Sequence, residues 1–233
     1  MNTIAENIRI VENRKAEAAR KAGRDPSEIL LCAVTKTHSP EMINEAIRAG
    51  ITDIGENKVQ EILDKYEKVD KVRWHMIGHL QSNKVKYIID KVCMIHSVES
   101  VKLAREIERR AAQHDLNMDI LIEVNTAQDE AKFGVSPEEA EGLIRQILGE
   151  CPHIRIRGIM TIAPYADDPE EIRPYFRKTR QLYDRLSQID DPGLDFQYLS
   201  MGMSNDYAEA VEEGSTIIRV GSALFGARDY GRQ

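Results

Sequence analysis

Eight short apolar runs rich in β-branched residues recur along this 233-residue chain with helical patterns between them, and that count narrows the possible folds sharply. The runs cover residues 29–35, 52–54, 73–77, 92–97, 119–125, 155–161, 195–200 and 216–220. Strict alternation of strand and helix implies parallel pairing through right-handed crossovers, because parallel neighbours need a long connection. Eight such units can close on themselves, whereas an open doubly wound sheet usually has fewer strands, and no GxGxxG follows the first run. The expected fold is α/β, a (β/α)8 TIM barrel with an extra N-terminal helix on which Ile4, Ile8 and Val11 share a face. The length suits one such barrel and no Gly/Ser-rich linker divides it, so residues 1–233 read as one domain.

The helices carry their own punctuation. Ser39 supplies an N-cap and Pro40 a first-turn proline, Met42, Ile43, Ala46 and Ile47 form an apolar stripe, and Gly50 stands where a C-terminal glycine belongs. Ser136 to Glu139 offers an N-cap and capping box ahead of Leu143, Ile144, Ile147 and Leu148. A further helix is expected over about residues 205–213.

Composition excludes several classes of function. A formal net charge of -7 argues against a nucleic-acid partner, since phosphate contacts need a positive field. Cys32, Cys93 and Cys151 are odd in number, far apart and without a CxxC pair, which fits a reducing cytoplasmic setting rather than a disulfide framework. The first 21 residues are charged throughout and no run approaches ~20 apolar residues, so neither export nor a membrane span is expected.

Functional groups of a TIM barrel lie at the C-terminal ends of its strands. Lys36 follows the first run and shares the side of Leu30, Cys32 and Val34 by the period of two, so its amine is expected in the barrel mouth. Partial desolvation there would leave more neutral amine to attack a carbonyl, although a strand-end lysine can also turn out to solvent. After the seventh and eighth runs, Ser200, Gly202 and Ser204 and then Gly221 and Ser222 supply hydroxyls and close backbone approach, as suits a phosphate. The plainer reading of Ser204 is an ordinary N-cap. Arg219, inside the last run, needs an acceptor: a carboxylate such as Glu56 or Glu123, or a pyridine-type nitrogen that its N–H would keep unprotonated.

Taken together these residues resemble the pyridoxal phosphate homeostasis protein family, relatives of the N-terminal barrel of alanine racemase. The stretches that carry the resemblance run the length of the chain: Ala33 to Thr37, Gly55 to Asn57 with Gln60 and Glu61, Trp74 to Lys84, His96 to Val98, Gly158 to Thr161, Leu199 to Ser204, and Arg219 to Ser222. The resemblance implies pyridoxal 5'-phosphate (PLP) held as a Schiff base on Lys36, with Arg219 at the pyridine nitrogen, Asn57 along the ring, and Ser200, Gly202, Ser204, Gly221 and Ser222 around the phosphate. It also implies a role in PLP homeostasis without evident catalysis, with transient contact to PLP-dependent apo-enzymes and a monomeric state. Two departures stand out: the family more often has serine at Thr35, and residues 128–133 follow its fifth-loop pattern loosely.

Two other functions compete. An amino-acid racemase would need a second acid or base opposite the lysine, and only residues 223–233 follow the last run, leaving Tyr165 or Tyr230 to be recruited. A metal-dependent hydrolase would use His79, His96 and Glu56, but no HxH pair lies on the first run. His75 and His79 read more simply as a core or rim histidine and its hydrogen-bonding partner. His38, His114 and His153 read as solvated, Arg109 and Arg110 as an exposed helix face, and Trp74, Met201 and Met203 as packing.

Overall fold

In the computed structural model, which describes residues 2–127 and 132–226, each of the eight apolar runs falls on a strand. Thr3 caps the first helix, α1 (Ile4–Lys21), reciprocally with Glu6. Then follow β1 (Leu30–Val34), α2 (Pro40–Arg48), β2 (Asp53–Glu56), α3 (Val59–Lys65), β3 (Arg73–Met76), β4 (Met94–Val98) and α4 (Val101–Gln113). The second half comprises β5 (Met118–Glu123), α5 (Ala140–Glu150), β6 (Ile154–Met160), α6 (Arg173–Leu186), β7 (Leu194–Ser200), α7 (Tyr207–Glu212), β8 (Ile217–Val220) and α8 (Ser222–Phe225). All neighbours pair in parallel and β1 also pairs with β8, which closes the barrel in sequence order.

The period of two divides the core as closure requires. Leu30, Cys32 and Val34 face inward with Ile77, Met94, Leu121, Met160 and Ile217, while Leu31 and Ala33 face outward into the larger core shared with the helices. Burying each large aliphatic side chain contributes roughly 1.5–3 kcal/mol, so this two-sided burial is the main source of stability. α1 lies against α7 and α8, and Asn7 Nδ2 donates to the Leu224 carbonyl at 2.9 Å. The start of the barrel is thereby tied to its end.

Three elements differ from the sequence expectation. β2 extends through Gly55 and Glu56, residues of low strand propensity, because the ladder to β3 pairs them with His75 and Met76. Between β3 and β4 the connection is a 3-10 helix, Ser82–Tyr87. α7 begins at Tyr207 rather than near residue 205, and Ser204 is not its cap. The capping box at Ser136 forms, with Glu139 N–H donating to the Ser136 hydroxyl at 3.3 Å, although the regular helix begins only at Ala140. Among the described residues no helix is long and apolar enough to cross a membrane.

Candidate functional site

At the C-terminal ends of the strands lies a cavity of about 420 Å³, within the usual range of small-molecule sites. The loop after β1 contributes Lys36 and His38, that after β5 Lys132, and that after β6 Ile162 to Ala166. The turn after β7 adds Met203 to Asp206, and the end of β8 adds Arg219, Gly221 and Ser222. Lys36, Ser204, Arg219, Gly221 and Ser222 therefore line one cavity, from three separate elements. Asn57, Ser200 and Gly202 do not line this cavity.

Each of the three has another place. Ser200 is fully buried beneath the floor, where its Oγ accepts from Arg219 Nη1 at 2.6 Å. Gly202, at φ +91°, lets α7 approach: a Cβ there would lie 2.5 Å from the Ala210 Cβ. Asn57 packs its backbone on Gly78, whose own Cβ would fall 2.4 Å from the Asn57 carbonyl oxygen.

Arg219 is 5% exposed, and its Nη2 donates to the Thr161 carbonyl at 2.8 Å. Neither Glu56 nor Glu123 pairs with it: Glu56 instead accepts from Lys65 and Thr35, and among the described residues no carboxylate lies within salt-bridge distance of the guanidinium. Among the described residues the buried guanidinium is thus held by neutral acceptors, the Ser200 hydroxyl and the Thr161 carbonyl.

Below Arg219 a polar chain descends through the barrel. Ser200 Oγ is 3.3 Å from His96 Nδ1, His96 Nε2 is 2.9 Å from His75 Nδ1, and His75 Nε2 is 2.8 Å from Asp53, which Arg73 holds in two bonds. Burial works against a charged His75, but its bonds to Asp53 and Cys93 outweigh it and raise the pKa to about 9. Burial, reinforced by the charges of His75 and Arg219, pushes His96 well below the ordinary histidine range. The partner of His75 is thus His96, not His79, which stacks on Phe133 and lies 3.3 Å from Glu99. His79, His96 and Glu56 do not converge as metal ligands.

The two turns are joined by Ser204. Its Oγ accepts from the backbone N–H of Gly221 at 3.1 Å and of Ala223 at 3.3 Å, which fills both lone pairs and leaves its own hydrogen to donate. The serine that read as a cap for α7 caps the last turn instead.

Sequence reasoning missed part of the lining. His38 is half-buried and stacks on Phe225 with centroids 4.5 Å apart, so it is not a solvated loop residue. Met203 is partly exposed in the cavity rather than packed, whereas Trp74 and Met201 are buried as expected. Lys132 donates to the Ala163 carbonyl at 3.0 Å across the mouth. The rule that pointed to Lys36 would have reached Ile162 to Ala166 had it been carried further past β6. Residues 128–131 of the fifth loop, and Tyr230, lie outside the described residues.

Comparison with known proteins gives a consistent set of relatives. Residues 2–229 match the family described as alanine racemase, N-terminal domain. A pyridoxal phosphate homeostasis protein of Aquifex aeolicus is 45% identical over 232 residues, covering 99% of this chain and 100% of the relative. An unknown protein from Bifidobacterium adolescentis superposes with a TM-score of 0.89 at 36% identity, covering 95% of this chain and 94% of that one. PipY of Synechococcus elongatus PCC7942, solved with PLP bound, gives 0.82 at 34% identity, covering 96% and 100%.

Proposed function

The chain belongs to the pyridoxal phosphate homeostasis proteins of the alanine racemase N-terminal domain family, and from that premise we propose that it binds PLP covalently through Lys36 and carries it without turning over a substrate. The observation that carries this reading is the meeting of Lys36, Arg219 and the Ser204–Ser222 turns around one cavity. The donor set fits the cofactor: a primary amine, a buried cation without a carboxylate, and hydroxyl donors on two adjoining turns.

When bound, the cofactor supplies an aldehyde with which a primary amine condenses with loss of one water, a pyridine nitrogen and a phosphate. Lys36 supplies the amine. Ser204 and Ser222 donate to the phosphate, with Gly221 allowing the turn to approach it. Arg219, which has no acceptor atom, would donate to the ring nitrogen and leave it without a proton. By holding off a proton there, Arg219 would disfavour carbanion chemistry and so favour carriage. Ser200 acts beneath the site by holding Arg219, and Gly202 shapes the turn. Asn57, outside the lining, is given no role. Delivery to apo-enzymes would proceed from the open mouth.

A racemase would need a second acid or base. Tyr165 lines the cavity but is 79% exposed, and its hydroxyl donates to Asp167 at 3.1 Å, a bond that raises the phenol's pKa. It is poorly placed to take a proton from a sequestered substrate.

Visible absorbance after exhaustive dialysis against buffer tests the reading. The wild type should retain an imine band that Lys36→Ala lacks, and single enantiomers of amino acids should not be interconverted faster than by free PLP. Racemisation well above that level would replace the carrier with an enzyme.

A further inference from the structure

We infer that Glu61 and Lys65 are positioning residues for Lys36: together they pin both peptide planes that flank it, and so fix the direction in which its side chain leaves the backbone. This rests on the proposed covalent role of Lys36.

The turn after β1 closes with His38 N–H donating to the Thr35 carbonyl at 3.1 Å. Between these ends Thr37 sits at φ +68°, where a β-branched residue is strained and glycine or asparagine is usual. Such a conformer persists only where its surroundings impose it. Here Glu61 Oε2 accepts from the Thr37 N–H at 2.6 Å, fixing the peptide plane after Lys36. The Thr35 carbonyl, in the plane before Lys36, accepts from Lys65 Nζ at 2.9 Å.

One ammonium links the two clamps. Lys65, with a side chain 10% exposed, donates at 2.8 Å to Glu61 and at 2.8 Å to Glu56, so Thr35, Glu56 and Glu61 take all three of its protons. Glu56, wholly buried, also accepts from the Thr35 hydroxyl at 2.7 Å. A buried lysine, two carboxylates and a strained threonine are far more apparatus than a surface turn requires. What they share is the residue between Thr35 and Thr37. With both planes fixed, the orientation of the Lys36 Cα–Cβ bond is fixed as well, and the amine starts near its line of attack instead of searching for it.

The test compares two quantities in the full-length protein: the rate of covalent adduct formation after mixing with PLP, and the affinity for pyridoxine 5'-phosphate, which has the ring and phosphate but no aldehyde. Glu61→Ala leaves Lys65 two of its acceptors. It should slow adduct formation by about tenfold or more while changing pyridoxine 5'-phosphate affinity by less than about twofold. Glu61→Gln, which keeps an oxygen for the Thr37 N–H, should recover most of the rate. An unchanged rate in Glu61→Ala, or equal losses of rate and affinity, would overturn the inference. Thr37→Gly gives an answer that does not depend on Glu61→Ala folding: with the clamp intact its rate should match the wild type, and a tenfold loss would show that the threonine side chain does the placing. If the wild type itself formed no adduct on Lys36, the proposed function would fail instead, and the two failures are distinct.

Discussion

His75 Nδ1 and His96 Nε2 lie 2.9 Å apart inside a closed barrel, so one ring must donate and the other accept. The charges on either side decide which. His75 is drawn to its cationic form by Asp53, and donates from both nitrogens; His96, between that cation and Arg219, is held neutral and passes its remaining N–H to Ser200. Ser200 therefore accepts from both His96 and Arg219, which orients the guanidinium toward the cavity floor.

The charge of His75 has a pH signature. Its folded pKa of about 9 stands above the ordinary 6.5, so its contribution is fully present below 6.5 and is lost as pH rises through 9. The stability difference between wild type and His75→Gln should shrink by about 3 kcal/mol from pH 6 to pH 10. Denaturant melts at both values check this; a pH-independent difference would mean that His75 keeps an ordinary histidine pKa in the folded protein. Histidine NMR titration should show a second ring, that of His96, unprotonated down to pH 6.

Ser200→Ala removes the shared acceptor from two buried donors, one of them charged. It should destabilise the fold by about 2 kcal/mol and weaken pyridoxine 5'-phosphate binding. Unchanged binding would show that Arg219 needs no support from below.

Glu123 carries a different pH signature. Its buried Oε2 has no hydrogen-bond partner among the described residues, and burial, followed by the charge of Glu99, raises its pKa to about 7 against the opposing pull of Arg219. A carboxylate raised in the folded state lowers stability as pH climbs from 4.5 to 7. Glu123→Gln should accordingly stabilise the protein by up to about 3 kcal/mol at pH 8 and give little at pH 4.5. A loss of stability at pH 8 would contradict this.

Gly158→Ala should prevent folding. The residue sits at φ +145°, and an added Cβ would lie 1.7 Å from the Tyr198 carbonyl oxygen, at an irregularity in the β6–β7 ladder. Backbone cannot yield as a flexible side chain can, and a cost beyond about 4 kcal/mol is expected. Recovery of soluble protein with a wild-type melting temperature would show that the ladder gives way.

Much of this was legible beforehand because it depends on local periodicity. The strands follow from apolar runs, and the inward face of Lys36 follows from Leu30, Cys32 and Val34, two residues apart. What was hidden depends on depth and long-range register. Sequence places Ser200 at a strand end, but only closure of the barrel tells a floor residue from a lining one. His75 reads in sequence as a core or rim residue paired with His79, yet its partner His96 lies on the neighbouring strand, 21 residues on. Gly55 and Glu56 do not look like strand residues and become so through pairing with β3. Lys132 reaches the cavity on a loop whose course no local signal reveals.

Reduction of the PLP-loaded protein with borohydride, followed by proteolysis and mass spectrometry, bears most directly on the central claim. The pyridoxyl mass should fall on the peptide containing Lys36, in near-stoichiometric yield. Its appearance chiefly on another lysine, such as Lys132, or undiminished trapping in Lys36→Ala, would contradict the account.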